Sequence, residues 1–166
     1  MKSTNAPHIL AYIGLGANLG QTEDSIRAAI AKLSHEGLVV TRQAHLYRSP
    51  PMGPQDQPDF VNTVVEIKTT LSPHKLLAHL KAVESAMGRT QTRHWGPRII
   101  DLDLLLYETL VVQDTDLQIP HPHMHLRRFV LEPLAELAPN FVIPGLGQTV
   151  RALEAQLEDP AIHQIA

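Results

Sequence analysis

The sequence predicts an α+β fold, a ferredoxin-like α/β sandwich with a βαββαβ core and C-terminal helical and hairpin additions. Three observations predict it. Segments of strand and helix periodicity follow one another in the order β-α-β-β-α-β over the first two-thirds of the chain. The length of 166 residues suits one domain with one core, so residues 1–166 are expected to form a single domain. Hydrophobic residues make up 43% of the chain, with only one Trp, three Tyr and three Phe, which calls for a core of Leu, Ile, Val and Ala.

The elements follow in order. Ile9 to Leu15 is a short apolar run that ends in glycines, and it reads as a strand. Thr22 is expected to cap the helix that follows. Glu23 and Asp24 sit in its first turn, where the helix dipole favours acids. Ile26, Ala29, Ile30 and Leu33 give it one apolar face, and Gly37 is expected to end it. A strand is predicted from Leu38 to Tyr47. The stretch Ser49 to Asp59 holds four prolines, which remove donors and fix φ, so it must be a loop. Ordered loops of that length are often functional. Phe60 to Thr69 reads as a strand with Val61, Thr63, Val65 and Ile67 on one face, and Phe60, Asn62, Val64 and Glu66 on the other. The second helix has Ser72 as cap, Pro73 in its first turn and Gly88 after its last. Arg89 to Pro97 is irregular. Arg98 to Tyr107 is a strong strand, with Leu110 to Val112 as a short partner. The tail adds Leu117 to Ile119 and helical pieces near Phe129 to Leu137 and Val150 to Leu157.

Composition narrows the function. Fourteen basic against 17 acidic residues leave a formal charge of -3, which argues against a basic surface wrapping nucleic acid. The absence of cysteine removes disulfides, Cys-ligated zinc, iron–sulfur clusters and thiol nucleophiles. The N-terminus lacks the arrangement of a signal peptide, and no run approaches the roughly 18 apolar residues that cross a bilayer. A cytoplasmic protein is expected, with no membrane or nucleic-acid partner.

The chemistry points to Asp101-Leu102-Asp103. Alternate strand residues share a face, so Ile100, Leu102, Leu104 and Leu106 should enter the core. Asp101 and Asp103 then stand together on the other face, their backbones ~6.6 Å apart. Two carboxylates this close repel unless a cation lies between them, and Mg²⁺ wants such oxygen ligands. Solvated acids, or acids paired with Arg98, are the alternative. Arg89, Arg93, His94, Arg98, His121, His123, His125, Arg127 and Arg128 flank the pair, and guanidinium forks match phosphate oxygens. Acids and arginines together suit Mg²⁺ and a polyphosphate. His121-Pro-His123-Met-His125 lacks zinc spacing and suits phosphate better. Trp95 is either core or a lid over a planar ligand. Phe60 beside Asn62 either packs ordinarily or stacks on a heterocycle and reads its edge. Gly14 and Gly16 read as close backbone approach, with Asn18 closing the turn. A Mg²⁺-dependent nucleotidyltransferase or nuclease would use the same acids but needs a basic track. An RNA-binding module would need aromatics where Asp101 and Asp103 stand.

With these residues collected, the chain resembles the 6-hydroxymethyl-7,8-dihydropterin pyrophosphokinase family of folate biosynthesis. The resemblance rests on Tyr12-Ile13-Gly14-Leu15-Gly16-Ala17-Asn18-Leu19, on Tyr47 to Asn62, on Arg93-His94-Trp95-Gly96-Pro97-Arg98-Ile99-Ile100-Asp101-Leu102-Asp103, and on Ile119 to Met124 with Arg127-Arg128-Phe129. It implies transfer of pyrophosphate from ATP to the pterin hydroxymethyl group, with AMP released. It further implies that Asp101 and Asp103 bind two Mg²⁺, and that Arg89 and Arg98 steady the transferring group and help a loop close. His121 and Arg127 would hold ATP phosphates, with Glu84 and Ile99 beside the nucleotide. Asn62 would bond to the pterin, Phe60 and Phe129 would sandwich it, and Ser49, Pro50 and Met52 would line its pocket under Trp95. A monomer that binds only pterin and nucleotide is expected.

Overall fold

The computed structural model describes residues 8–51, 53–88, 99–158 and 161–166. The chain runs through β1 (Ile9–Ala17), α1 (Thr22–Leu33), β2 (Leu38–Gln43), β3 (Tyr47–Ser49), β4 (Phe60–Thr69), α2 (Pro73–Ala86) and β5 (Asp101–Tyr107). It continues through β6 (Val112–Gln113), β7 (Gln118–Ile119), a 3-10 turn at Met124–Leu126, α3 (Arg128–Leu137), α4 (Val150–Ala155) and β8 (His163–Gln164). The main sheet has the order β5-β1-β4-β3-β8, with β2 also paired to β4. All its pairings are antiparallel. With β2 and β3 taken as one interrupted strand, this is the expected ferredoxin-like α+β sandwich.

Strand alternation gives the sheet two apolar faces, each covered by its own helices. On one face Ala11, Ile13 and Leu15 of β1 and Val61, Val65 and Ile67 of β4 pack with Ile26, Ala29 and Leu33 of α1 and Leu76, Leu80 and Val83 of α2. On the other face Tyr12 and Val64 meet Val130, Leu131 and Leu134 of α3 and Val150 and Leu153 of α4. The tail therefore supplies the second layer. Tyr47 of β3 donates its hydroxyl proton to Glu136 of α3, whose carboxylate also accepts from His45. Burial opposes the Glu136 carboxylate, but these donors outweigh it and hold its pKa below the ordinary value.

Several boundaries differ from the expectation. Thr22 is the first helical residue of α1, with Gln21 at the cap and no side-chain capping bond. The helix ends at Leu33 rather than Gly37, because His35 and Leu38 exchange backbone hydrogen bonds of 3.1 and 3.0 Å across a tight bridge. The strand expected over Leu38–Tyr47 breaks at residues 44–46. Ala44 and Leu46 are buried there, and the Thr63 hydroxyl lies 3.0 Å from the Ala44 and His45 carbonyls. Leu106 does not share a face with Leu102. The β1–β5 register shifts between Tyr12 and Ile13, and this bulge turns both Leu105 and Leu106 toward α3. β6 pairs with β7 as a separate ribbon rather than with β5. The second helix matches closely: Ser72 Oγ accepts from the Lys75 amide and Gly88 takes φ +80°. Among the described residues no helix is long and apolar enough to cross a membrane.

Leu80 is wholly buried between α2 and the sheet. Leu80→Ala is expected to lower stability by about 2–5 kcal/mol. Urea denaturation should show this as a lower midpoint at unchanged slope.

Candidate active site

The site begins with two missing side chains. Tyr12, Gly14 and Gly16 occupy alternate positions of β1 and face α3. Tyr12 fills its share of that layer, but the two glycines leave the sheet bare. A cavity of about 360 Å³ opens over them, with Phe129 and Val130 of α3 opposite. Register then decides what surrounds the bare strip. Gly16 pairs with Asn62 of β4 on one side and Asp101 of β5 on the other, and Gly14 pairs with Asp103. Strands lie about 4.8 Å apart, so the amide and the acids stand roughly 10 Å from each other across the floor. A Cβ on Gly16 would collide with Asn62 Oδ1, so only glycine allows this packing.

The far wall is the proline loop. Asn62 Nδ2 donates to Ser49 Oγ at 3.3 Å, and Ser49, Pro50 and Phe60 line the cavity. The loop is braced by its own amides. Gln55 Nε2 donates to the Pro51 and Gly53 carbonyls, both at 2.9 Å, and Gln57 Nε2 donates to the Pro54 carbonyl at 2.8 Å. Asn18 does more than close the turn after β1. Its Nδ2 reaches Gln57 Oε1 and the Pro58 carbonyl, both at 2.9 Å, and so clamps the loop to the end of β1. Both side chains are buried, so leaving either partner unsatisfied would be costly.

The near wall carries charge. His121, His123 and Arg127 line the same cavity as Asp101 and Asp103. Burial, Arg127 and His123 all push the His121 pKa down, to about 4. Its ring is therefore neutral at pH 7. The His123 amide donates to His121 Nδ1 at 3.2 Å, so that nitrogen is the acceptor and Nε2 carries the proton. His121 thus presents a neutral N–H donor. Burial also lowers the Arg127 pKa, while Asp103 and Asp101 pull it back up. Arg127 lies with its guanidinium carbon 5.8 Å from the centre of the Phe129 ring.

A second cavity, of about 410 Å³, lies on the other side of the acids. Asp101, Asp103 and His121 belong to both cavities. The second is bounded by Leu77, Lys81 and Glu84 of α2 and by residues 115–118 of the β6–β7 ribbon. β5 is an edge strand here, and its Leu102 amide would otherwise lack a ladder partner. Buried Glu84 accepts from that amide at 2.7 Å and ties α2 to the edge. Among the described residues, three metal-ligating groups converge only at His74, Asp114 and Asp116. There His74 Nε2 lies 3.1 Å from Asp114 and 3.7 Å from Asp116 on the exposed outer rim. Asp101 and Asp103 offer two carboxylates.

Of the residues singled out from sequence, Asp101, Asp103, His121, Arg127, Ser49, Pro50, Phe60, Asn62 and Phe129 converge on the first cavity, and Glu84 on the second. Arg89, Arg93, His94, Trp95, Arg98 and Met52 lie outside the described residues. Ile99 lines neither cavity; the apolar residues that β5 gives the second are Leu102 and Leu104. Arg128 turns away to donate to the Leu157 carbonyl at 3.1 Å. Lys81 was missed, although Leu77, Lys81 and Glu84 share one stripe of α2 at spacings of four and three.

A model of the 7,8-dihydro-6-hydroxymethylpterin-pyrophosphokinase (HPPK) family matches residues 12–139. The chain is 46% identical over 154 residues to a 2-amino-4-hydroxy-6-hydroxymethyldihydropteridine pyrophosphokinase of Haemophilus influenzae, covering 91% of this chain and 94% of that one. It is 43% identical over 156 residues to its namesake from Methylorubrum extorquens, covering 93% and 98% respectively. Its fold is similar to that of Plasmodium falciparum HPPK-DHPS, with a TM-score of 0.73 at 16% identity, over 93% of this chain and 45% of that one.

The His121 environment predicts an acid-sensitive fold. An unfolded histidine titrates near 6.5 and this one near 4, so between those values the unfolded chain binds the extra proton. The contribution of His121 is intact above pH 6.5 and is lost as pH falls toward 4. Urea midpoints measured at several pH values should therefore drop less steeply over this window for His121→Asn than for the unmodified protein.

Proposed function

The chain belongs to the 7,8-dihydro-6-hydroxymethylpterin-pyrophosphokinase family, and we propose that the two joined cavities are where its reaction takes place. That reaction is pyrophosphoryl transfer from ATP to 6-hydroxymethyl-7,8-dihydropterin in folate biosynthesis. One observation carries the assignment. Asp101 and Asp103 stand at the junction of a cavity with aromatic and amide walls and a second one with Lys81 on its rim. A planar heterocycle suits the first, and a nucleotide suits the second, so the acids fall between the two substrates.

In this reading Asn62 reads the polar edge of the pterin, Phe60 and Phe129 hold its faces, Ser49 and Pro50 wall it in, and Met52 and Trp95 are assigned to the same substrate by the family resemblance. The nucleotide lies along Leu104, Lys81 and Glu84. His121 donates its Nε2 proton to a phosphate oxygen, and Arg127 adds a charged fork. Arg89 and Arg98 steady the transferring group. Asp101 and Asp103 fit magnesium, being hard oxygen donors on one face of one strand, with phosphate and water left to complete the shell. We assign them two Mg²⁺, which when bound neutralise the triphosphate and lower the pKa of the attacking hydroxyl. The hydroxymethyl oxygen attacks the β-phosphorus in line and gives up its proton to solvent, the bond to the α–β bridging oxygen breaks, and AMP leaves. The protein's share is placement and charge complementarity, as in other phosphoryl transfers. Both core clusters share one sheet, which supports a single domain. The proposal is a single-domain protein that acts as a monomer in the cytoplasm, where ATP is supplied, with pterin and nucleotide as its partners.

Three variants test this reading in an assay for AMP formed from ATP, Mg²⁺ and the reduced pterin. Asp101→Ala or Asp103→Ala is expected to abolish pterin-dependent AMP formation while circular dichroism stays unchanged. Near-normal turnover by either variant would remove the metal assignment. Gly16→Ala forces Asn62 aside, so the KM for pterin should rise about tenfold and that for ATP stay within about twofold. A parallel rise in both would detach Asn62 from the pterin.

A further inference from the structure

Residues 161–166 return to the sheet beside the pterin wall. β8 pairs with β3, Tyr47 opposite Gln164 and Arg48 opposite His163. The Ile165 amide donates to the Leu46 carbonyl at 2.9 Å, and the Leu46 amide donates to the Ala166 carbonyl at 2.9 Å. The Ile165 side chain packs on the core cluster that contains Leu46. β3 needs this support. It is three residues long, and the chain before it is irregular at residues 44–46. Without β8, β3 would be the sheet edge, and an edge strand that short opens easily. Yet β3 carries Ser49, which meets Asn62 and leads directly into the proline loop.

We propose that residues 161–166 form a strap that preorganises the pterin wall, with Ile165 as its positioning residue. The inference rests on the pterin lying in the first cavity. Holding β3 in register beforehand removes an ordering cost from pterin binding. The nucleotide cavity borders β5, the opposite edge of the same sheet. The strap therefore acts on one substrate and not the other, which separates it from a general stabilising role.

Ile165→Pro in the full chain tests it, because proline lacks the N–H that Leu46 accepts. Hydrogen exchange at the Leu46 amide should become about tenfold faster, while β1 amides are unchanged. The KM for pterin should rise about fivefold, with the KM for ATP within about twofold. Ile165→Val should restore both readouts. Unchanged exchange and unchanged pterin KM overturn the strap, as does a parallel rise of both KM values with faster exchange throughout the sheet. Asn62→Ala separates the two levels. If it raises the pterin KM while Ile165→Pro does not, the strap alone is wrong. If Asn62→Ala leaves the pterin KM unchanged, the cavity assignment beneath it fails.

Discussion

β1 lies inside the sheet, hydrogen-bonded to β4 and β5, and its two faces do different work. One face, Ala11, Ile13 and Leu15, is buried under α1 and α2 and holds the domain together. The other face gives up its side chains at Gly14 and Gly16. Everything in the site follows from that bare strip. Its width sets the gap beneath α3, and its register places Asn62 and the two acids on either side. The rigid ladder serves as a ruler, and the separation of amide and acid is a property of strand spacing rather than of loops.

The loops and edges around this ruler are held by polar contacts. Asn18 clamps the proline loop through Gln57, Glu84 occupies the edge amide of Leu102, and Tyr47 ties β3 to Glu136 of α3. These groups are buried or half-buried, so each contact has to be kept or its partner is stranded away from water. The same low polarity explains the electrostatics beside the acids. His121 stays neutral because desolvation and the nearby Arg127 both oppose its charge. A neutral donor next to a charged fork suits phosphate oxygens without adding a second cation that Arg127 would repel.

Much of this was legible in the sequence because it depends on local periodicity. The alternation of β4, the capped α2 and the shared face of Asp101 and Asp103 follow from spacings of two and of three to four residues. The errors came where a neighbour changed the local rule. Leu106 followed strict alternation on paper, but a bulge against β1 moved it to the other layer. The strand over Leu38–Tyr47 was cut at residues 44–46, where Thr63 of another strand bonds the Ala44 and His45 carbonyls.

The sequence by itself determined the order of elements, the two-sided sheet and the chemical kinds of group that a magnesium–polyphosphate site needs. Those depend on side-chain type and short-range spacing. Only the tertiary structure decided that α3 covers the bare glycines, that Asn18 reaches Gln57, that Glu84 seals β5, and that β8 pairs with β3 beside the first cavity. Each of these joins residues far apart along the chain. Such contacts are selected by which surfaces remain unburied once the sheet has formed, and no local pattern carries that information.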